Sequence, residues 1–149
     1  MIAAILFITF ATAKRNVSLG LLIAYSFLVM VTTIIGRSPG EHASVILTPF
    51  WSYKEMSSND FIWFEVRANI LLFIPIGFLL PLSIKKNSLF WGIGFSILIE
   101  MVQLVTHRGT CETDDVISNT FGILIGYFTL IVLKTLLSLL LGWWKKLQK

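Results

Sequence analysis

Four long apolar stretches separate the charged and polar segments of the chain. They cover residues 17–35, 61–84, 89–106 and 116–133. Each is close to the length of about 20 residues that an α-helix needs to cross a hydrocarbon core of roughly 30 Å. The pattern therefore predicts an all-α protein, a polytopic transmembrane helical bundle with four firm spans.

A shorter apolar stretch, Met1–Ala13, precedes the first span. As a helix it would cover roughly 20 Å, less than the hydrocarbon core, so it predicts a short N-terminal half-span. It lacks the form of a cleavable signal peptide, because Lys14 and Arg15 follow the apolar stretch instead of preceding it. We therefore expect it to stay attached, and we expect residues 1–149 to form a single membrane domain.

The composition agrees with this pattern and excludes several classes of protein. Apolar residues make up 56% of the chain and charged residues 13%, and the mean hydropathy is +0.82. Four spans leave no room for a large aqueous domain, so a nucleic-acid-binding fold and a dinucleotide-binding sheet are excluded. The single cysteine, Cys111, excludes an internal disulfide and a zinc site of paired cysteines.

The distribution of charge predicts the orientation of the bundle. Alternate connections place eight basic residues on one side of the membrane, with no acidic residue among them: Lys14, Arg15, Lys85, Lys86, Lys134, Lys145, Lys146 and Lys149. Because cytoplasmic loops are enriched in lysine and arginine, we expect this side, including the C-terminus, to be cytoplasmic. All eight acidic residues then lie on or near the outer side.

Glu100 is the first candidate for a functional role. It lies within the third span, where a full charge costs roughly 2.5 to 3.5 kcal/mol on insertion scales, so a carboxylate there is a functional candidate by default. Gln103 and His107 follow at i+3 and i+7 and share its helix face. No metal and no other cofactor is expected, because His42 is the only second histidine that could complete a metal site.

The fourth span begins with a matching polar stripe. Asp115, Asn119, Gly122 and Gly126 recur at helical spacing, and the glycine pair predicts close packing between helices. The two stripes can face each other near residues of the second span at similar depth, and we expect Glu100 and Gln103 to face the bundle and contact Asn119 or Arg67. We therefore predict a ligand-binding cluster in which Glu100 and Asp115 are the catalytic candidates. Its predicted members are Arg67, Asn69, Glu100, Gln103, His107, Arg108, Asp114, Asp115 and Asn119.

These residues also have structural interpretations. Glu100 could pair with Arg67 or Arg108 simply to hold the bundle together. Asp114 and Asp115 could be first-turn acids that favour the positive end of the following helix. Both alternatives stay open on the sequence alone.

Several short segments form a recognisable set. They are Gly36-Arg37, Leu47-Thr-Pro-Phe50, Asn69-Ile-Leu-Leu-Phe-Ile-Pro-Ile-Gly-Phe-Leu-Leu-Pro81, Ile99-Glu-Met-Val-Gln103, Arg108 and Asp114-Asp-Val-Ile-Ser-Asn-Thr-Phe-Gly-Ile-Leu-Ile-Gly-Tyr127. Together they resemble the VanZ-like family of membrane proteins, over about residues 34–127. The resemblance implies a multi-pass protein of the bacterial cell membrane, associated with resistance to the glycopeptide antibiotic teicoplanin.

Three functional hypotheses follow from the resemblance. The first is binding or modulation of an amphipathic molecule at the outer leaflet of the cell envelope, either a lipoglycopeptide or a lipid-linked cell-wall precursor. The second is an intramembrane enzyme acting on a membrane lipid, with Glu100 as acid or base and Arg67 or Arg108 stabilising an anion. The third is a small transporter or flippase. The sequence has no Ser/His/Asp spacing and no phosphate-cradling glycine loop, which favours the first hypothesis.

Overall fold

A computed structural model describes residues 15–38, 40, 44–84 and 86–147 of the chain. The elements in chain order are α1 (Arg15–Met30), a π-helical turn (Val31–Ile35), β1 (Ser44–Ile46), α2 (Trp51–Glu55), α3 (Asp60–Ser83), α4 (Ser88–Thr106), β2 (Thr110–Glu112) and α5 (Thr113–Leu147).

Four of the helical segments are long and apolar enough to cross a membrane: Asn16–Ile35, Asp60–Ser83, Ser88–Thr106 and Thr113–Trp144. The predicted all-α, multi-pass architecture with four firm spans is confirmed. The predicted half-span, Met1–Ala13, lies outside the described residues.

The helices begin and end largely where the sequence predicts. Asn59 caps α3, and its side-chain oxygen accepts a hydrogen bond from the Phe61 amide at 3.0 Å. The helix continues through Pro75 and Pro81 to Ser83. The last helix is longer than the predicted span, because the apolar residues after position 133 continue the same helix.

Glycines bring α3 and α5 into direct backbone contact. A Cβ atom on Gly77 of α3 would overlap the Ile123 carbonyl of α5, and a Cβ on Gly126 would overlap the Ile74 carbonyl of α3. Gly122 stands equally close to Ile70. The predicted close packing at the Gly122 and Gly126 pair is therefore confirmed, with α3 as the partner helix.

The first helix packs against α3 on the other side. The Tyr25 hydroxyl donates a hydrogen bond to the Leu72 carbonyl at 3.0 Å, which ties the two helices together. Buried apolar side chains from α1, α3, α4 and α5 form one core. They are Leu22, Val29, Phe73, Ile76, Leu79, Leu80, Ile99 and Ile123.

The connection between the first two spans is folded over one end of the bundle. Its strand β1 pairs in parallel with β2, with Ser44 opposite Thr110 and Ile46 opposite Glu112. Neither strand can be predicted from the sequence pattern, because each has three residues and its partner is remote in sequence. This pairing fixes the loop 36–59 against the segment that joins α4 to α5.

Candidate functional site

The polar residues singled out in the sequence lie at one end of the bundle. There the π-helical turn and α4 end, and α3 and α5 begin, so side chains from four helices point towards one region. The loop 36–59 and strand β2 close this region from above. The cluster is therefore positioned by helix ends, with backbone groups available as ligands.

The π-helical turn leaves carbonyls available to neighbouring side chains. The Gly36 amide bonds to the Val31 carbonyl at 2.8 Å, five residues back, and this widens the last turn. Arg108 Nη1 then donates to the Ile35 carbonyl at 3.2 Å and to the Arg37 carbonyl at 2.8 Å. Arg108 therefore clamps the end of this turn, and no pairing of its guanidinium with Glu100 is needed to explain its position.

Arg37 is the cation at the centre of the cluster. Its half-buried side chain interacts electrostatically with Glu65 of α3, Glu100 of α4 and Asp115 of α5. The Asn69 side chain supports this arrangement by interacting with the Asp115 carboxylate and stabilising its charge. One guanidinium thus faces carboxylates from three different helices.

Glu100 lies at the base of the cluster, only 3% exposed. Its Oε2 accepts a hydrogen bond from the Glu112 backbone amide at 3.0 Å. The sequence-based expectation of contact with Asn119 or Arg67 is wrong. Asn119 Nδ2 donates to Ser96 Oγ at 2.9 Å, one helical turn deeper, and the exposed Arg67 stacks on the Trp63 ring at 4.6 Å.

Gln103 is buried beside the same cluster, with 2% of its surface exposed. Its Nε2 donates to the Thr33 carbonyl at 3.0 Å, while its Oε1 has no hydrogen-bond partner among the described residues. Gly109 has a φ of +150° and no side chain, which leaves space for the side chains of Arg37 and Gln103. A Cβ there would lie 2.8 Å from Arg37 Nη1 and 3.5 Å from Gln103 Cδ.

Asp114 fastens the loop to the start of α5. Its two carboxylate oxygens accept hydrogen bonds from the Phe50 amide at 2.6 Å and the Ser52 amide at 2.8 Å. These bonds hold the start of α2, and they accompany a Tyr53 hydroxyl to Ser118 Oγ contact of 2.8 Å. Asp114 is 1% exposed and both its oxygens are engaged, so its geometry fits a capping role.

Glu112 brings a further carboxylate into the cluster from β2. Burial, followed by the negative charges of Asp115 and Glu65, raises the pKa of Glu112 to about 7. The neighbouring Cys111 thiol has a raised pKa as well, because of burial and then the charge of Glu100. The cluster is thus rich in negative charge and tends to take up protons.

The predicted site residues separate into two groups. Asn69, Glu100, Gln103 and Asp115 lie at the cluster. His107 is exposed at the end of α4, in a left-handed conformation with φ 54°. The other predicted residues have different partners. Arg67 stacks on Trp63, Arg108 and Asp114 hydrogen-bond to backbone groups, and Asn119 hydrogen-bonds to Ser96.

Three members of the cluster are absent from the predicted set: Arg37, Glu65 and Glu112. The segment Gly36-Arg37 does belong to the set that resembles VanZ-like proteins, and this signal could have identified Arg37. In the sequence, Glu65 and Glu112 are recognisable only as two of the acidic residues on the predicted outer side. Their place in the cluster depends on how α3 and β2 meet in the folded bundle, which local sequence does not encode.

The arrangement favours recognition of hydrogen-bond donors. Glu65, Glu100, Glu112 and Asp115 supply acceptor oxygens, and among the described residues Arg37 is the cation that interacts with them. Within the described parts of the chain, no group of three or more His, Cys, Asp or Glu residues has a geometry that could hold a metal ion.

A family model described as VanZ/LLP1 matches residues 4–135, which is most of the chain. No curated protein matches, and no solved structure matches.

Proposed function

The chain belongs to the VanZ/LLP1 family of membrane proteins, a family linked to resistance, and from this premise we propose that it binds an amphipathic ligand at the outer leaflet. The proposed ligand is a lipoglycopeptide such as teicoplanin or a lipid-linked cell-wall precursor. Binding would modulate the action of the antibiotic on the cell envelope.

The observation that carries the proposal is the position of Glu100. A carboxylate that is 3% exposed inside a spanning helix is costly, and such residues usually mark a functional site. The ion pair of Glu100 with Arg67 or Arg108 that the sequence left open is not formed, because both arginines are engaged elsewhere. The hydrogen bond from the Glu112 amide instead holds Glu100 below the partly exposed Asp115 and Arg37.

The surroundings of the cluster suit an amphipathic molecule. Exposed apolar side chains, Leu47 and Phe50 of the loop and Phe61 and Phe64 of α3, lie on the same end of the bundle as the carboxylates. A polar headgroup could therefore reach the cluster while its acyl chain remains in lipid. The predicted orientation, with the lysine-rich end in the cytoplasm, would place this end at the outer leaflet.

A resistance assay tests the proposal. Expression of the chain in a susceptible Gram-positive host should raise the inhibitory concentration of teicoplanin several-fold, and that of vancomycin far less, because only teicoplanin carries an acyl tail. The variants Glu100→Gln and Asp115→Asn should lose the effect, since they keep side-chain volume and remove a charge. Glu55→Gln, an exposed acid of α2 outside the cluster, is the matched control.

Two results would contradict the proposal. Equal protection against both antibiotics would indicate altered precursor chemistry, because both bind the same peptide stem. Absence of protection, or protection that survives in Glu100→Gln and Asp115→Asn, would also exclude it. Membrane abundance of each variant, measured by immunoblot, separates loss of function from loss of protein.

An intramembrane enzyme is the second candidate, and one observation favours it. Arg37 interacts electrostatically with both Glu100 and Asp115, so an acid or base and an anion-stabilising cation share the cluster. Arg37 would then have the role that the resemblance suggests for Arg67 or Arg108. Mass spectrometry of membrane lipids with and without the protein distinguishes catalysis, which changes a lipid mass, from binding.

A transporter or flippase has less support from the geometry. The polar cluster is confined to one end of the bundle, and the interior below it contains Phe73, Ile76, Ile99 and Ile123. A polar headgroup would meet no polar side chain among these core residues on its way to the other leaflet.

A further inference from the structure

We propose that the cluster accepts a primary ammonium group, so that the headgroup of the bound amphiphile is an amine. This inference deepens the proposed function, on which it rests for the location of binding. It is carried by two independent features: the surplus of carboxylates around Arg37, and a buried amide oxygen that has no donor.

The charge balance favours a cation over an anion. Glu65, Glu100 and Asp115 face the one guanidinium of Arg37, and Glu112 adds a fourth carboxylate to the same cluster. Arg37 is the cation that interacts with these carboxylates, while the Arg108 Nη1 bonds to the carbonyls of residues 35 and 37. A phosphate or carboxylate ligand would add to this crowding of carboxylates, whereas an ammonium group would take the place of the protons that the crowded carboxylates otherwise take up.

The Gln103 side chain provides the second feature. It is 98% buried, its Nε2 is used by the Thr33 carbonyl, and its Oε1 lacks a partner among the described residues. Its Cδ and Arg37 Nη1 both border the space above Gly109, so the amide group of Gln103 lies beside the cluster. A buried acceptor without a donor is unfavourable, and a ligand N–H would satisfy it.

The geometry also selects the type of amine. A primary ammonium has three N–H donors, enough for two carboxylates and one amide oxygen. A quaternary ammonium carries the same charge and has no donor. The partial exposure of Glu65, Glu112 and Asp115 leaves a path to the buried Glu100.

The primary ammonium could belong to a lipid headgroup or to a free amphipathic molecule, and the two sources share this recognition chemistry. The test uses the full chain in phosphatidylcholine nanodiscs and measures binding by native mass spectrometry. The probes are dodecylammonium, dodecyltrimethylammonium and N-dodecylacetamide, which have the same alkyl chain. A second set of nanodiscs also contains phosphatidylethanolamine. If this lipid competes with dodecylammonium, the source of the ammonium group is a lipid. If it does not compete, the source is a free amphiphile.

The expected result is that dodecylammonium binds about tenfold more tightly than either other probe, since each loses at least one charge-assisted hydrogen bond. Glu100→Gln should remove this preference, and Glu55→Gln should keep it. Glu112→Gln is a second variant in case Glu100→Gln does not fold, because it retains the backbone amide that holds Glu100.

Equal binding of dodecylammonium and N-dodecylacetamide would overturn the inference, as would an unchanged preference in both Glu100→Gln and Glu112→Gln. Equal binding of the primary and quaternary probes would overturn the role of Gln103 Oε1. If the preference fails while Glu100→Gln still abolishes teicoplanin protection, only the ammonium inference is lost. If the preference holds and no protection is seen, only the proposed resistance function is lost.

Discussion

The buried polar side chains of this site are held in place by hydrogen bonds to backbone groups as much as by charge. Glu100 and Gln103 are both buried in the bundle, as their helical spacing predicts, yet each bonds to the backbone of a different segment. Glu100 contacts the Glu112 amide and Gln103 the Thr33 carbonyl. Residue type and periodicity predict that such a side chain faces inward, but its partner depends on how distant segments fold.

Glu112 gives the cluster a measurable dependence of stability on pH. Its pKa is raised to about 7 from an ordinary value of 4.5, so the folded state binds its proton more tightly than the unfolded state does. This contribution is fully present below the unfolded pKa and is lost as pH rises through the folded pKa. The groups that face Glu112 are Glu65 of α3, Glu100 of α4, Asp114 and Asp115 of α5, and Trp51 of α2.

We therefore expect the melting temperature of the detergent-solubilised protein to fall between about pH 5 and pH 8, and the fall to be smaller in Glu112→Gln. Thermal melts of wild type, Glu112→Gln and Glu55→Gln at several pH values measure the difference. Identical slopes for wild type and Glu112→Gln would show that this carboxyl does not titrate as described.

At the scale of elements, the spanning helices follow from sequence and the loop does not. Apolar length predicts each span, and the small residues at 122 and 126 predict close packing. The parallel pairing of β1 with β2 has no comparable signal, since each strand has three residues and two spanning helices separate them in the sequence. Glu112, which lies in β2, is consequently the site residue that local patterns identify least directly.

The crossing of α3 and α5 should be sensitive to a single methyl group. Gly126→Ala would drive a Cβ into the Ile74 carbonyl, so we expect a loss of about 1 to 3 kcal/mol in unfolding free energy. Gly94→Ala is the matched control, because no atom lies within 4 Å of a Cβ at that position of α4. It should be neutral or stabilising by up to about 1 kcal/mol from helix propensity.

Reversible denaturation in mixed micelles measures both variants. Equal stability of Gly126→Ala and wild type would contradict the backbone contact described for this crossing. A large loss in Gly94→Ala would show instead that alanine is tolerated poorly throughout the bundle.

At the scale of the whole molecule, the two ends of the bundle differ in chemistry. One end holds the carboxylates and the folded loop, and the exposed Lys86 lies in the turn at the opposite end. Helix lengths and this asymmetry can be predicted from sequence, because charge distribution and hydropathy are properties of the chain itself. The number of carboxylates gathered at one point cannot be predicted from sequence, since it depends on how four helix ends meet in three dimensions.

Thiol labelling tests the predicted orientation. Cys111 should react with an impermeant maleimide added to intact cells, because we expect its end of the bundle to face outward. Its raised pKa lowers the thiolate fraction, so labelling should be slow at neutral pH and faster in alkaline buffer. The control is Lys86→Cys in a Cys111→Ser background, which should react only after lysis. Labelling of Cys111 restricted to lysed cells would reverse the orientation.

The contact between Asp114 and the start of α2 has a consequence for biosynthesis. The Phe50 amide and the Asp114 carboxylate that accepts its hydrogen bond are 64 positions apart, with two complete spans between them. During translation the loop therefore emerges long before its capping residue has been made, and β1 waits equally long for β2. The carboxylate cluster is accordingly assembled only after the fourth span has entered the membrane, so a nascent chain halted earlier has its helices but no binding site.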